Sequence, residues 1–265
     1  MKIITWAKIK GGVGNTTLAL LLGQYLASKG KKVLFADTDH QCNLTHYYDV
    51  FQDKNTIANV FLREGAVDIL NVAENIDLIP GSMRLDEAER LLETDPNKNM
   101  VLYDWLADNY EKRGLDQYDY MILDCRPDFG IATKNAIAIS HVLFSPVMPG
   151  EFSFESKANL ELRMENYRKT EIVRPSRESL ITAELYFVLN MVAHNTNSSR
   201  ELIEALKDDQ DVIGQFDKKE LFNRTNRDHT LIDMWQNPAI YSRHRSFFSD
   251  LEKTLNVLID KVDKS

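Results

Sequence analysis

Ile3-Ile4-Thr5-Trp6-Ala7-Lys8-Ile9 runs straight into Lys10-Gly11-Gly12-Val13-Gly14-Asn15-Thr16-Thr17, and that loop into Leu18-Ala19-Leu20-Leu21-Leu22. A short apolar run ending at glycines reads as a buried strand, and the longer apolar stretch after the loop as a helix. Working outward, further strands are expected at 33–36, 76–79, 120–123, 142–147 and 185–190, with a late one at 220–222. Helices are expected at 16–28, 85–92, 100–112, 132–140, 154–167, 199–206 and 247–262. Apolar strands alternating with helices imply a parallel sheet covered on both sides. The expected fold is therefore α/β, a doubly wound, mostly parallel sheet with helices on both faces, with residues 1–265 forming one domain. Folds of this kind bind ligands beyond the carboxyl ends of their strands.

The 265 residues are 43% hydrophobic and 27% charged, a balance that excludes a disordered or fibrous chain. Polar residues interrupt every apolar stretch well short of the ~18 residues that a spanning helix needs. The first residues, MKIITWAKIKGG, lack the apolar region and cleavage site of a secretory signal. Cys42 and Cys125 cannot build a disulfide framework, so a cytoplasmic protein is expected. A net charge of -8 argues against a surface that coats nucleic acid uniformly, while leaving room for a local basic patch.

The chemistry concentrates at three strand ends. In the first loop, Gly11, Gly12 and Gly14 let the backbone of residues 10–17 wrap an anion and turn its N–H groups inward. The helix that follows adds its own unpaired N–H groups and positive dipole end. Thr16 stands where a hydroxyl can ligate Mg²⁺ bound to nucleotide phosphates. The second strand ends in Asp37-Thr38-Asp39-His40-Gln41-Cys42-Asn43. A carboxylate there can position a water beside a phosphate. Tyr120-Met121-Ile122-Leu123-Asp124 is an apolar strand ending in another acid.

These three motifs resemble the deviant Walker A box (KGGxGK[ST][ST]), the Walker A′ segment and the Walker B strand of the ParA/MinD superfamily of P-loop NTPases. The resemblance implies that Lys10 is the signature lysine, reaching the phosphates of the partner subunit in an ATP-bound sandwich homodimer. It implies that Gly11, Gly12, Val13, Gly14, Asn15, Thr16 and Thr17 hold ATP or ADP, and that Thr16, Asp39 and Asp124 organise Mg²⁺ and water. It assigns Asp39 the catalytic role at the attacking water, and Asp37 the support of the loop and the Mg²⁺ shell. Asn190, at the end of a later strand, is similar in placement to the asparagine that reads adenine. The sequence departs from the family at two positions. Asn15 occupies the place of the lysine that contacts the bound nucleotide's own β- and γ-phosphates, and Arg126 stands where a proline is usual. Asn offers a neutral amide where lysine offers a charge and three donors, so hydrolysis is expected to be impaired.

Members of this superfamily differ in what they act on. Phe247, Leu251, Leu255, Leu258 and Val262 share one helical face among mixed charges. That pattern fits a helix packed on the domain better than one lying on anionic lipid, so no membrane partner is expected. Residues 217–245 carry six Lys/Arg against four acids. Arg200, Lys219, Arg224 and Arg227 are the candidate DNA contacts, and Arg174 and Arg177 could extend the surface. The reading that results is a ParA-type partition ATPase of a bacterial plasmid or chromosome. It would bind nucleoid DNA without sequence preference and be stimulated by a ParB-like centromere-binding protein. The alternatives are a MinD-like membrane-associated regulator and a positioning ATPase for a protein cargo.

Overall fold

The computed structural model describes residues 1–9, 11–12, 14–150, 153–193 and 195–265, with the backbone alone at Ser153. Lys10 and Val13 of the expected phosphate loop lie outside the described residues. β1 (Lys2–Trp6), α1 (Asn15–Ser28), β2 (Val33–Thr38) and α2 (Asn43–Tyr47) open the chain. They are followed by α3 (Ile57–Leu62), β3 (Leu70–Ala73), β4 (Ile76–Ile79), α4 (Leu85–Leu92) and α5 (Val101–Asn109). The middle comprises β5 (Tyr120–Cys125), α6 (Ile131–Ala138), β6 (Val142–Val147), α7 (Ser153–Thr170), β7 (Glu184–Val192) and α8 (Asn197–Leu206). β8 (Val212–Asp217), α9 (Leu231–Gln236), α10 (Pro238–Arg243) and α11 (Arg245–Lys264) close it.

The strands form one eight-stranded sheet in the order β3-β4-β2-β5-β1-β6-β7-β8, parallel except for the β3–β4 pair. Central strands are buried along their whole length: β2, β5 and β6 have no exposed position. Alternate residues feed two cores. Ile4, Trp6, Val33, Phe35, Tyr120 and Ile122 join the core beneath α1 and α11. Ile3, Leu34, Met121, Leu123 and Leu143 join the core beneath α4 to α7. The expected doubly wound α/β fold is observed.

Two expectations require correction. Residues 220–222 do not form a strand; Glu220–Arg224 is a 3-10 turn. The last strand is β8, ending at Asp217, and the chain must then turn away so that Leu221 is buried and Phe222 meets the Phe247 ring edge-on, 6.0 Å between centroids. Arg174 and Arg177 lie between α7 and β7, and in a parallel sheet that connection falls at the amino ends of the strands. They are therefore at the end of the sheet opposite the start of α8 and the turn after β8, and do not continue the surface of Arg200 and Arg224.

The C-terminal face is fully used. Phe247, Leu251, Leu255, Leu258 and Val262 are all buried in the core that α11 shares with α1 and β1. Among the described residues, no helix is long and apolar enough to cross a membrane.

Candidate nucleotide-binding site

Trp6, Asp124 and Asp37 stand side by side across β1, β5 and β2, each in register with its neighbour. Their parity turns Asp124 and Asp37 toward the α1 face of the sheet. Gly14 ends the loop in the left-handed region (φ 83°) immediately before α1. A side chain there would be strained, and its Cβ would lie 2.7 Å from Asn190 Nδ2. Glycine at this position thus lets the loop approach β7 closely.

Asn15 is buried, with 1% of its surface exposed. Its Nδ2 donates to Asp124 Oδ1 at 2.8 Å, to the Trp6 carbonyl at 2.8 Å and to the Cys125 carbonyl at 3.1 Å. The amide is therefore aimed at the strand ends, stitching the first turn of α1 to β1 and β5. The other oxygen of Asp124, Oδ2, is buried without a hydrogen-bond partner among the described residues. An unsatisfied buried carboxylate oxygen fits a hydrated divalent cation. Thr16, half-buried in the first turn of α1, adds a hydroxyl next to it. Together these residues suit Mg²⁺ held between the protein and a phosphate chain.

The electrostatics are dominated by crowded acids. Burial, and then the neighbouring Asp37 charge, push the Asp124 carboxyl well above the usual range, while the Thr16 hydroxyl and the Lys8 ammonium act in the opposite sense. Asp37 is raised chiefly by burial. It accepts from the Thr45 N–H at 2.9 Å, from the Thr45 hydroxyl at 2.7 Å and from the Asp39 N–H at 3.1 Å. Its observed contacts hold α2 and the loop before it. Gly81 lies against it, so closely that an added Cβ would be 2.9 Å from Asp37 Cγ.

Asp39 is 7% exposed and accepts from the Gln41 N–H at 2.9 Å. His40 Nδ1 stands 3.6 Å from Asp39 Oδ1 and 3.7 Å from Asp86 Oδ1 on α4. Burial pushes the Cys42 thiol up to about 12, and raises that of Cys125 as well. Both cysteines are buried and unpaired in any disulfide. As small apolar groups with protonated thiols they suit packing rather than reaction.

Beside the loop lies a cavity of about 160 Å³, lined by Gly14, Thr17, Leu18, Asn190, Lys219 and Phe222 among others. Asn190 is thus brought beside Gly14. Lys219, expected to face DNA, lines this cavity instead, with its Nζ 5.7 Å from the Phe247 ring centroid. Arg200 is exposed at the start of α8, and Arg224 is exposed on the 3-10 turn. Arg227 is tethered: it donates to the Tyr48 carbonyl at 3.3 Å and pairs with Asp49 at 3.3 Å.

Sequence reasoning missed two parts of this site. One is the far wall of the cavity, because β8 does not read as a buried strand. The other is Lys8, half-buried two residues beyond Trp6, whose charge burial disfavours and the carboxylates of Asp124 and Asp39 favour. Its only signal in the sequence is a cation with the parity of Trp6, immediately before the glycine loop.

A glycine loop between a central parallel strand and a helix, with acids at the two neighbouring strand ends, defines a nucleotide-binding P-loop fold. A model of the AAA domain family (AAA_31) matches residues 1–175, and the chain belongs to that family as one of the ParA/MinD-type P-loop ATPases. Sporulation initiation inhibitor protein Soj of Bacillus subtilis (strain 168) is 30% identical over 226 residues, covering 78% of this chain and 79% of Soj. Chromosome-partitioning ATPase Soj of Treponema pallidum (strain Nichols) is 34% identical over 163 residues, 58% of this chain and 60% of that protein. A plasmid partition protein of Borrelia burgdorferi B31, solved bound to AMPPNP, has the same fold with a TM-score of 0.76. It is 25% identical, and the match covers 98% of both chains.

Proposed function

We propose that this chain is a ParA-type partition ATPase that binds ATP and Mg²⁺ as a sandwich homodimer, associates with DNA without sequence preference and hydrolyses ATP slowly. The observation that carries the reading is the meeting of Asn15, Thr16 and Asp124 at one point. There a buried carboxylate has one oxygen taken by Asn15 and the other left without a partner among the described residues. Thr16 and Asp124 would hold Mg²⁺, the latter through water, and the metal would neutralise charge on the β- and γ-phosphates. The N–H groups of Gly11 to Thr17 would cradle the phosphates and Asn190 would face the base. Asp39 would orient the attacking water, and Lys10 would act across the dimer. A ParB-like centromere-binding partner would stimulate turnover and release the DNA.

Asn15 is the weak link in hydrolysis. A hydrogen bond from a charged donor is worth about 1.5–3 kcal/mol, so replacing lysine by a neutral amide should slow turnover roughly tenfold to a hundredfold. Turnover and DNA binding should be measured with ATP, ADP and no nucleotide, for this chain and for Asn15→Lys. We expect DNA binding only with ATP, and at least about tenfold faster turnover for Asn15→Lys. Equal turnover would remove the impairment, and DNA binding indifferent to nucleotide would remove the partition reading.

A further inference from the structure

We propose that Lys8 supplies the positive contact to the nucleotide's phosphate chain that Asn15 does not make. This rests on the nucleotide-binding reading above and assigns the cation of that same site.

Position is the first argument. Trp6 is in register with Asp124, and Lys8 lies two residues farther along the same direction, beyond the carboxyl end of β1. Ala7, between Trp6 and Lys8, is buried in the core beneath α4 to α7, so Lys8 falls on the opposite side of the chain, the α1 side, with Trp6. That is where the phosphate loop begins. Asn15 cannot serve as the donor without giving up its present bonds, because its Nδ2 already donates to Asp124 and two carbonyls.

Charge is the second argument. Three carboxylates, Asp37, Asp39 and Asp124, crowd the strand ends. A polyphosphate entering that environment needs cations beyond the metal. Lys8 is half-buried, and among the described residues it makes no ion pair, although both Asp124 and Asp39 act on it from a distance. The ammonium is therefore in the field of the acids without being paired to either of them among the described residues. Burial disfavours its charge and the carboxylates favour it. Phosphate oxygens would add to the favourable side.

The plain alternative is that Lys8 merely balances the acids, in which case it matters to folding and not to ligand. Affinity for a fluorescent ATP analogue with Mg²⁺ separates the two. Lys8→Gln should weaken binding by about tenfold or more, while Lys8→Arg should stay within about threefold of the unmodified chain. Placing Lys8→Gln on Asn15→Lys should change affinity by less than about threefold, since the loop lysine then carries the contact. Unchanged affinity in Lys8→Gln alone would overturn the proposal. So would an unmodified chain that fails to bind while Asn15→Lys binds, an outcome that leaves the nucleotide reading standing. If neither binds, the nucleotide reading falls and this assignment with it.

Discussion

Arg126 directly follows β5, and its side chain is largely enclosed. It pairs with Asp86 at 2.6 Å and Glu89 at 2.7 Å on α4, and with Asp128 of its own loop. Glu89, itself 7% exposed, also accepts from the Ala132 N–H at 2.7 Å, at the start of α6. One guanidinium thus fastens the loop after β5 to α4, whose Glu89 in turn holds the start of α6. Removing it would leave Glu89 buried without its cation. The cost should lie between that of an exposed pair and a fully buried one, roughly 1–3 kcal/mol, because Asp86 and Asp128 are open to water. Chemical denaturation of Arg126→Ala should read that loss. On a Glu89→Gln background the same substitution should cost less, and equal costs would mean that the pair is not coupled. The identity of this residue is plain in the sequence. Its partners are not, since α4 lies some forty positions away and only the fold brings Glu89 to the loop. Asn15 is a similar case: the residue is legible, while its burial against Asp124 is not.

At the scale of elements, α1 packs against β2 through a glycine. A Cβ on Gly23 would lie 2.2 Å from the Phe35 ring, which is itself fully buried. Intrinsic propensity favours alanine in a helix interior by about 1 kcal/mol. Overpacking of a tight core costs about 1–3 kcal/mol, and a gap of this size has no flexible side-chain end to give way. Steric cost should therefore win, and Gly23→Ala should lower the thermal midpoint; a rise would show that helix and sheet can separate cheaply. Legibility of the elements follows the same burial. β4 and β6, paired on both sides, have the bounds expected from the sequence because buried strands leave continuous apolar runs. β3 and β8 are the two edges of the sheet, and most of their positions are only partly buried. Val212-Ile213-Gly214-Gln215-Phe216-Asp217 mixes polar and apolar residues accordingly. With that strand hidden, the apolar pair Leu221-Phe222 attracts the expected strand to 220–222, and one wall of the cavity by Asn190 goes unseen.

For the whole molecule, a net charge of -8 means that the proposed DNA binding would rest on a few exposed cations. The structure divides the four candidates rather than uniting them. Lys219 faces the cavity by the phosphate loop, Arg227 is held by Asp49, and Arg200 and Arg224 are exposed. An arginine that must leave a carboxylate before meeting a phosphate gains less than one already free to do so. Such exposed pairs are worth about 0–1 kcal/mol, so the difference between Arg224 and Arg227 should be correspondingly small but ordered. Arg224→Ala should weaken binding to any DNA sequence more than Arg227→Ala does, and removing one cation from a phosphate should reduce the salt slope by about one. Lys219→Ala should leave that slope unchanged and alter nucleotide affinity instead. Titration of all three variants against DNA at several salt concentrations, with ATP present throughout, decides the assignment. A lower slope for Lys219→Ala would return that residue to the DNA surface. An undiminished slope for Arg224→Ala would mean that the basic segment 217–245 is only a solvated face, and that any DNA contact is made elsewhere.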